Sequence, residues 1–272
     1  MLKYIRYLLG SDFFHLFLVP FKILVNYSNA RRKERYLIKD PVFNFLTFID
    51  LKVKNGPFTG LIYPNYSSFG SQLYPKIIGC YEKELWPIWN SFKEKDYEQI
   101  FDIGCAEGYY AVGLSRMFPN ASVKAYDISS IARDMCKKMV EINKLEYKIE
   151  VKSKCDSNEL LKYDYLKKTL IICDCEGYEI ELFNEIDNEI FKSVDLVVET
   201  HDFININIST ILKNKFSKTH NIVSIKSIDD IEKALTYSFE EINNLSLEHK
   251  KMVVSENRPS IMEWIVCLSK EI

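Results

Sequence analysis

Phe101-Asp102-Ile103-Gly104-Cys105-Ala106-Glu107-Gly108-Tyr109-Tyr110 is the stretch that decides the fold. A short apolar run closes on a glycine, and helical spacing begins at Tyr109. Gln99–Gly104 therefore reads as a β-strand ending in a tight turn. Tyr109–Phe118 reads as a helix that stops at Pro119-Asn120. Strand, glycine turn and helix in that order open a βαβ unit, and the residues downstream continue it.

Ser122–Asp127 is predicted as the second strand. Ile131–Leu145 follows as a helix, with Ile131, Met135, Met139 and Ile142 on one face. Tyr147–Ser153 alternates as a strand, Leu170–Cys175 is a buried strand, and Glu179–Asn184 opens a helix. Val194–Thr200, Asn221–Ile225 and Ile261–Leu268 complete the strands. Such alternation implies an α/β fold: a doubly wound, Rossmann-like, mostly parallel sheet covered on both faces. Ligands bind such sheets outside the carboxyl ends of the strands, where the strand order reverses.

Upstream the pattern is less regular. Residues 1–75 mix short apolar stretches with turns such as Asn55-Gly56-Pro57 and Tyr63-Pro64-Asn65, and are expected to form an N-terminal extension or lid; 76–272 form the cofactor-binding domain. Phe13–Val25 is apolar but broken by His15, Pro20 and Lys22, too short and interrupted for a spanning helix. The basic cluster Arg31-Arg32-Lys33-Glu34-Arg35 behind it allows a peripheral membrane contact.

Composition narrows the class. A chain of 272 residues, 47% hydrophobic, builds a sizeable core without metal or disulfide staples. A net charge of −2 gives no electrostatic reason for a nucleic-acid partner. Seven cysteines without a CxxC pair fit a reducing, cytoplasmic compartment better than a disulfide framework or zinc ribbon.

The glycine loop distinguishes two kinds of cofactor. A dinucleotide fingerprint needs G-x-G-x-x-G; here Gly104 and Gly108 flank Ala106, and Tyr109 stands at the third glycine's place. Asp102 and Glu107 would repel a pyrophosphate but suit a cationic sulfonium and an ammonium. Asp127, followed by Ile128, ends the second strand where a carboxylate accepts bonds from ribose hydroxyls. The alternative for Asp127 is a helix cap, a place Ser129 also suits. Cys155-Asp156-Ser157, after the third strand, is the place for an adenine contact through Asp156.

Asp102 through Tyr110 resembles the first motif of class I S-adenosylmethionine-dependent methyltransferases. Cys173-Asp174-Cys175-Glu176-Gly177-Tyr178-Glu179 resembles the D-x-E-G-x-E segment of FkbM-type methyltransferases. Gly79-Cys80-Tyr81-Glu82-Lys83-Glu84-Leu85 is similar to the segment preceding the first motif in that group, which adds Tyr81 and Glu82 to the cofactor site. The resemblance covers about residues 79–205. It implies S-adenosylmethionine as cofactor and methyl transfer to a hydroxyl of a sugar, surface glycan or secondary metabolite. Ala106 and Glu107 depart from the group's usual residues, which bears on the cofactor's amino-acid end. The turn after the fourth strand lacks the Asn/Asp-Pro-Pro-aromatic pattern of amino-group methylation and the Pro-Cys of cytosine methylation.

Acceptor chemistry is expected at the ends of the fourth and fifth strands. Asp174 and Glu176 end the fourth; Glu199 and His201 share one side of the fifth. His201 suits a general base, with Glu199 orienting it or bonding the acceptor. A divalent metal on Asp174, Glu199 and His201 is the alternative, not required by the reading; a solvent-facing or capping His201 is the bland one. Tyr109 and Tyr178 are candidate walls for the acceptor, with Trp86, Trp89 and Tyr110. Cys173 and Cys175 are expected to pack on the opposite face from the two acids. A catalytically degenerate cofactor-fold binding module and an NAD-dependent oxidoreductase are the competing classes.

Overall fold

The glycine-turn strand is an interior strand of a seven-stranded sheet in the computed structural model, which describes residues 50–270. Helices α1 (Leu73–Ile78) and α2 (Trp86–Phe92) precede it. Then come β1 (Gln99–Ile103), α3 (Tyr109–Met117), β2 (Ser122–Tyr126), α4 (Ser130–Ile142), β3 (Ile149–Lys152) and α5 (Ser157–Leu160). The second half is β4 (Thr169–Cys173), α6 (Glu179–Phe183), β5 (Val194–Thr200), α7 (Ile208–Phe216), β6 (His220–Lys226), α8 (Asp230–Thr236), α9 (Leu247–Val254) and β7 (Glu263–Ser269).

The sheet order is β3-β2-β1-β4-β5-β7-β6. β1 to β5 run parallel, and β7 inserts antiparallel between β5 and β6. This is the doubly wound, Rossmann-like α/β fold. β1 pairs with β2 on one side and β4 on the other, so the order reverses there and a crevice opens above the carboxyl ends of β1 and β4.

Central strands β1, β4 and β5 are buried along their whole length, which is why they read as apolar runs rather than alternating ones. Period two still sorts their side chains. Phe101, Ile103, Ile171, Cys173, Leu196 and Val198 share one cluster with Leu182 and Phe183 of α6 and Leu212 and Phe216 of α7. His220 is structural: its Nε2 meets the Val194 carbonyl at 2.8 Å.

The described residues from 51 onward form one compact unit. Within it the stretch before α1 lies against α3 and α4. Ile62 bonds through both its backbone N–H and carbonyl to the Asn143 side chain. The Phe58 ring meets Tyr109 and Tyr110 edge-on. Among the described residues no helix is long and apolar enough to cross a membrane. The Phe13–Val25 run and the basic cluster after it lie outside the described residues.

One local reading changes: α8 and α9 occupy a region where hydrophobic periodicity predicted no element. β4 ends at Cys173 and the chain turns through Glu176 and Gly177 with φ of 53° and 99°. Cys175 nevertheless stays beside Cys173, their sulfurs 3.4 Å apart, and packs against the same core cluster while its edge reaches the cavity described next.

Candidate active site

A cavity of about 830 Å³ lies over the carboxyl ends of β1, β2, β4 and β5. That is within the range of cofactor sites, about 300–1,000 Å³. One side is formed by Gly104, Ala106, Glu107, Tyr109, Asp127 and Ile128; the other by Asp174, Glu176, Tyr178, Glu199, His201 and Arg258. Of the predicted walls, Tyr109, Tyr110 and Tyr178 line it, as does Tyr81.

The β1 turn is shaped by contact with β4. Gly104 has φ +85°, and a Cβ there would fall 1.6 Å from the Asp174 carbonyl oxygen. The Asp174 N–H in turn donates to the Ile103 carbonyl at 2.8 Å. Glycine at 104 therefore allows the two loops to touch backbone to backbone. Gly108, φ +96°, lets α3 begin against Cys136.

Asp127 presents an ordered carboxylate at the cavity wall. Its Oδ2 accepts from the Ala106 N–H at 3.0 Å and its Oδ1 from the Ser129 N–H at 2.7 Å. Ser129 caps α4, accepting from the Ala132 N–H. Asp156 is outside the cavity lining. It caps α5, accepting from the Glu159 N–H at 3.0 Å, and pairs with Lys154. The lining near it is Ser153, Lys154 and Cys155.

Both acids of the glycine loop are compensated. Glu107 is buried and accepts from Lys76, Ser68, Tyr63 and the Phe69 N–H. Burial alone would raise its pKa, but Lys76 holds it below the usual carboxylate range. Asp102 lies beneath the cavity floor, 3% exposed, and burial pushes it up to about 8. The carboxylates at the cavity without a lysine or arginine partner among the described residues are Asp127, Asp174 and Glu176. The lining suits a cationic ligand through these three rather than through the loop's own two.

Asp102 makes stability depend on pH. Its folded pKa is raised, so its contribution is full below about pH 4 and is lost as pH rises through about 8. Asp102→Asn should remove this component. At pH 9 the variant is expected to be more stable than the parent by about 1 kcal/mol or more, or about 2–4 °C in Tm, and to lose that advantage at pH 4. Parallel Tm–pH curves for the two proteins would refute this placement of the charge.

At the β5 end, His201 is 2% exposed. Its Nδ1 meets Glu179 Oε1 at 2.7 Å, and its Nε2 lies 3.4 Å from both Asp174 Oδ1 and Glu176 Oε2. Burial would lower the pKa of His201, but the Glu179 hydrogen bond and the acids Asp174 and Glu176 raise it. The carboxylate that orients the imidazole is thus Glu179, the last acid of the D-x-E-G-x-E segment. Glu199, expected in that place, turns instead to Arg258.

Arg258 is the residue that sequence reasoning missed. It pairs with Glu82, Glu199 and Glu256, meeting Glu256 through Nε at 2.7 Å. Tyr110 bonds the other oxygen of Glu82, and Lys233 pairs with Glu256. Burial pushes Glu82 up to about 7 and Glu199 well above the usual range. Glu82 therefore anchors the arginine from behind the cavity wall. The turn Asn257-Arg258-Pro259 carries no spacing that marks it. Lys76, in an apolar helical segment, was equally silent.

Residues 88–168 match the family model for the methyltransferase small domain. The match runs from α2 to the residue before β4 and takes in the glycine loop and Asp127. No curated protein matches the sequence. Among solved structures, the O-methyltransferase TomG from Streptomyces achromogenes, in complex with SAM, is similar at 9% identity over 71% of this chain and 81% of that one, TM-score 0.45. Precorrin-6y C5,15-methyltransferase from Geobacter metallireducens shares 10% identity over 66% and 84%, TM-score 0.43. Human methyltransferase 10 domain containing protein shares 12% over 70% and 82%, TM-score 0.44.

Proposed function

We propose that the chain is an S-adenosylmethionine-dependent O-methyltransferase, acting on a hydroxyl of a sugar, surface glycan or secondary metabolite. The observation that carries this reading is one continuous cavity with two differently built ends. Its β1–β2 side has the glycine turn and an ordered carboxylate; its β4–β5 side has an oriented histidine among acids. The methyltransferase small-domain match over residues 88–168 supports it.

The lining fits the cofactor. The volume suits a nucleoside-sized ligand, Asp127 suits a ribose, and unpaired carboxylates suit a sulfonium. Gly104, Ala106, Gly108, Tyr109, Ile128 and Tyr81 would hold it, with Glu107 and Lys76 at the charged amino-acid end; Asp102 and Glu82 support these from behind. When bound, S-adenosylmethionine supplies an electrophilic methyl group: the acceptor oxygen bonds to carbon as the carbon–sulfur pair returns to sulfur. The protein's part is alignment and activation of the hydroxyl. Activation belongs to the cluster of His201, held by Glu179, with Asp174 and Glu176. Glu199 and Arg258 complete the acceptor wall.

Calorimetry with S-adenosylhomocysteine tests the cofactor half. Asp127→Ala is expected to weaken binding by about 1.5–3 kcal/mol, the scale of hydrogen bonds involving a charged group. Unchanged affinity in a folded variant would remove the ribose assignment. Binding of NAD in place of S-adenosylhomocysteine would favour the oxidoreductase class.

A further inference from the structure

We propose that Asp174, Glu176 and His201 form a divalent cation site, and that the cation is what activates the acceptor; this rests on the methyl-transfer reading above. One ligand atom from each residue lies within 4.8 Å of the others. Nε2 of His201 stands 3.4 Å from an oxygen of each acid. That separation exceeds the usual N–H···O range of about 2.7–3.2 Å. It equals the edge of a tetrahedron whose bonds to a central ion are about 2.1 Å, the length of zinc–nitrogen and zinc–carboxylate bonds.

Three independent features support a cation there. First, Glu179, fully buried, accepts at His201 Nδ1 from the far side. A carboxylate behind an imidazole fixes the tautomer that points the Nε2 lone pair at a metal. Second, Asp174 Oδ1 is buried without a hydrogen-bond partner among the described residues, although it faces His201 Nε2. Third, local charge is unbalanced. Arg258 and Lys233 are engaged by Glu82, Glu199 and Glu256. Among the described residues, Asp174, Glu176 and Glu179 pair with no lysine or arginine, and His201 is the basic side chain that meets them.

The ligand set differs from the Asp174, Glu199 and His201 set read from alternation. Glu199 is engaged by Arg258, and it is Glu176, in the left-handed turn after β4, whose carboxylate joins the set. One nitrogen and two oxygens, open toward the cavity, suit a first-row cation such as Mn²⁺ or Zn²⁺. Three protein ligands leave positions for a substrate oxygen. An acceptor hydroxyl there loses its proton to water more readily, because the cation stabilises the resulting oxyanion.

The test is Mn²⁺ binding to the full-length, chelator-stripped protein, followed by electron paramagnetic resonance. One bound Mn²⁺ per chain, displaced by Zn²⁺, is expected. Glu176→Gln should weaken binding at least ~10-fold, and Glu179→Gln by ~10–100-fold, the cost of losing an outer partner of a ligating histidine. The Glu176 side chain is 76% exposed, so its substitution does not threaten the fold. No stoichiometric binding, or an affinity unmoved by Glu176→Gln, would overturn the proposal and leave His201 held by Glu179 with no ion beside it. S-adenosylhomocysteine binding to the stripped protein is measured in parallel. Its failure strikes the methyltransferase reading, whereas loss of Mn²⁺ binding alone strikes only the cation site.

Discussion

His201→Ala is expected to slow methyl transfer by about 10²–10⁴-fold, the scale of losing a positioned activating group, whether it takes the proton itself or holds the cation that does the activating, while leaving S-adenosylhomocysteine affinity within about two-fold of the parent. The reason is separation within the sheet. His201 extends from the end of β5 toward Asp174 and Glu176, whereas the glycine turn and Asp127 lie over β1 and β2. Transfer of a labelled methyl group to a panel of sugars and polyols measures the first quantity, and calorimetry the second. Near-normal turnover in the variant would mean that alignment alone drives the reaction, and would end the role assigned to the histidine. Glu179→Gln should show a smaller loss of the same kind, since it acts only by orienting the ring.

Arg258→Met is expected to cost about 3–5 kcal/mol of stability, the usual consequence of removing one side of a buried ion pair. At about 2–4 °C per kcal/mol, Tm should fall by about 10 °C. The guanidinium is the shared partner of Glu82, Glu199 and Glu256, all nearly inaccessible to water, and only Lys233 remains to offset three carboxylates. Adding Glu82→Gln to the variant should restore part of the loss. A single substitution that leaves Tm unchanged would show that these groups are neutral or hydrated in the folded protein.

Much of the fold was legible because it rests on local rules. A buried parallel strand must be apolar, and a glycine must stand where β1 turns; Gln99–Ile103 and Gly104 follow both. Asp127 could be placed because a strand end fixes its own last residue in space. His201 was legible for the same reason. What could not be read depended on contacts between distant segments. Glu179 looked like a helix start, and its meeting with His201 across 22 residues has no periodic signal. Lys76 and Arg258 are single cations in segments with no motif, and their roles arise only once the carboxylates they serve are folded around them. Asp156 shows the converse: a polar residue at a plausible address that satisfies a helix end instead.

The arginine cluster also sets an order in time. Glu82 and Arg258 are 176 residues apart, and Arg258 and Glu199 are 59 apart. During synthesis the chain emerges from its N-terminal side, while a domain folds as a unit. A nascent chain that has exposed β1 through β5 has the glycine turn, Asp127 and the β4–β5 loops, but not the guanidinium that pairs with Glu82 and Glu199. Arg258 lies in the last turn translated before β7, so the ion cluster at the cavity wall can close only when nearly all of this compact unit has emerged.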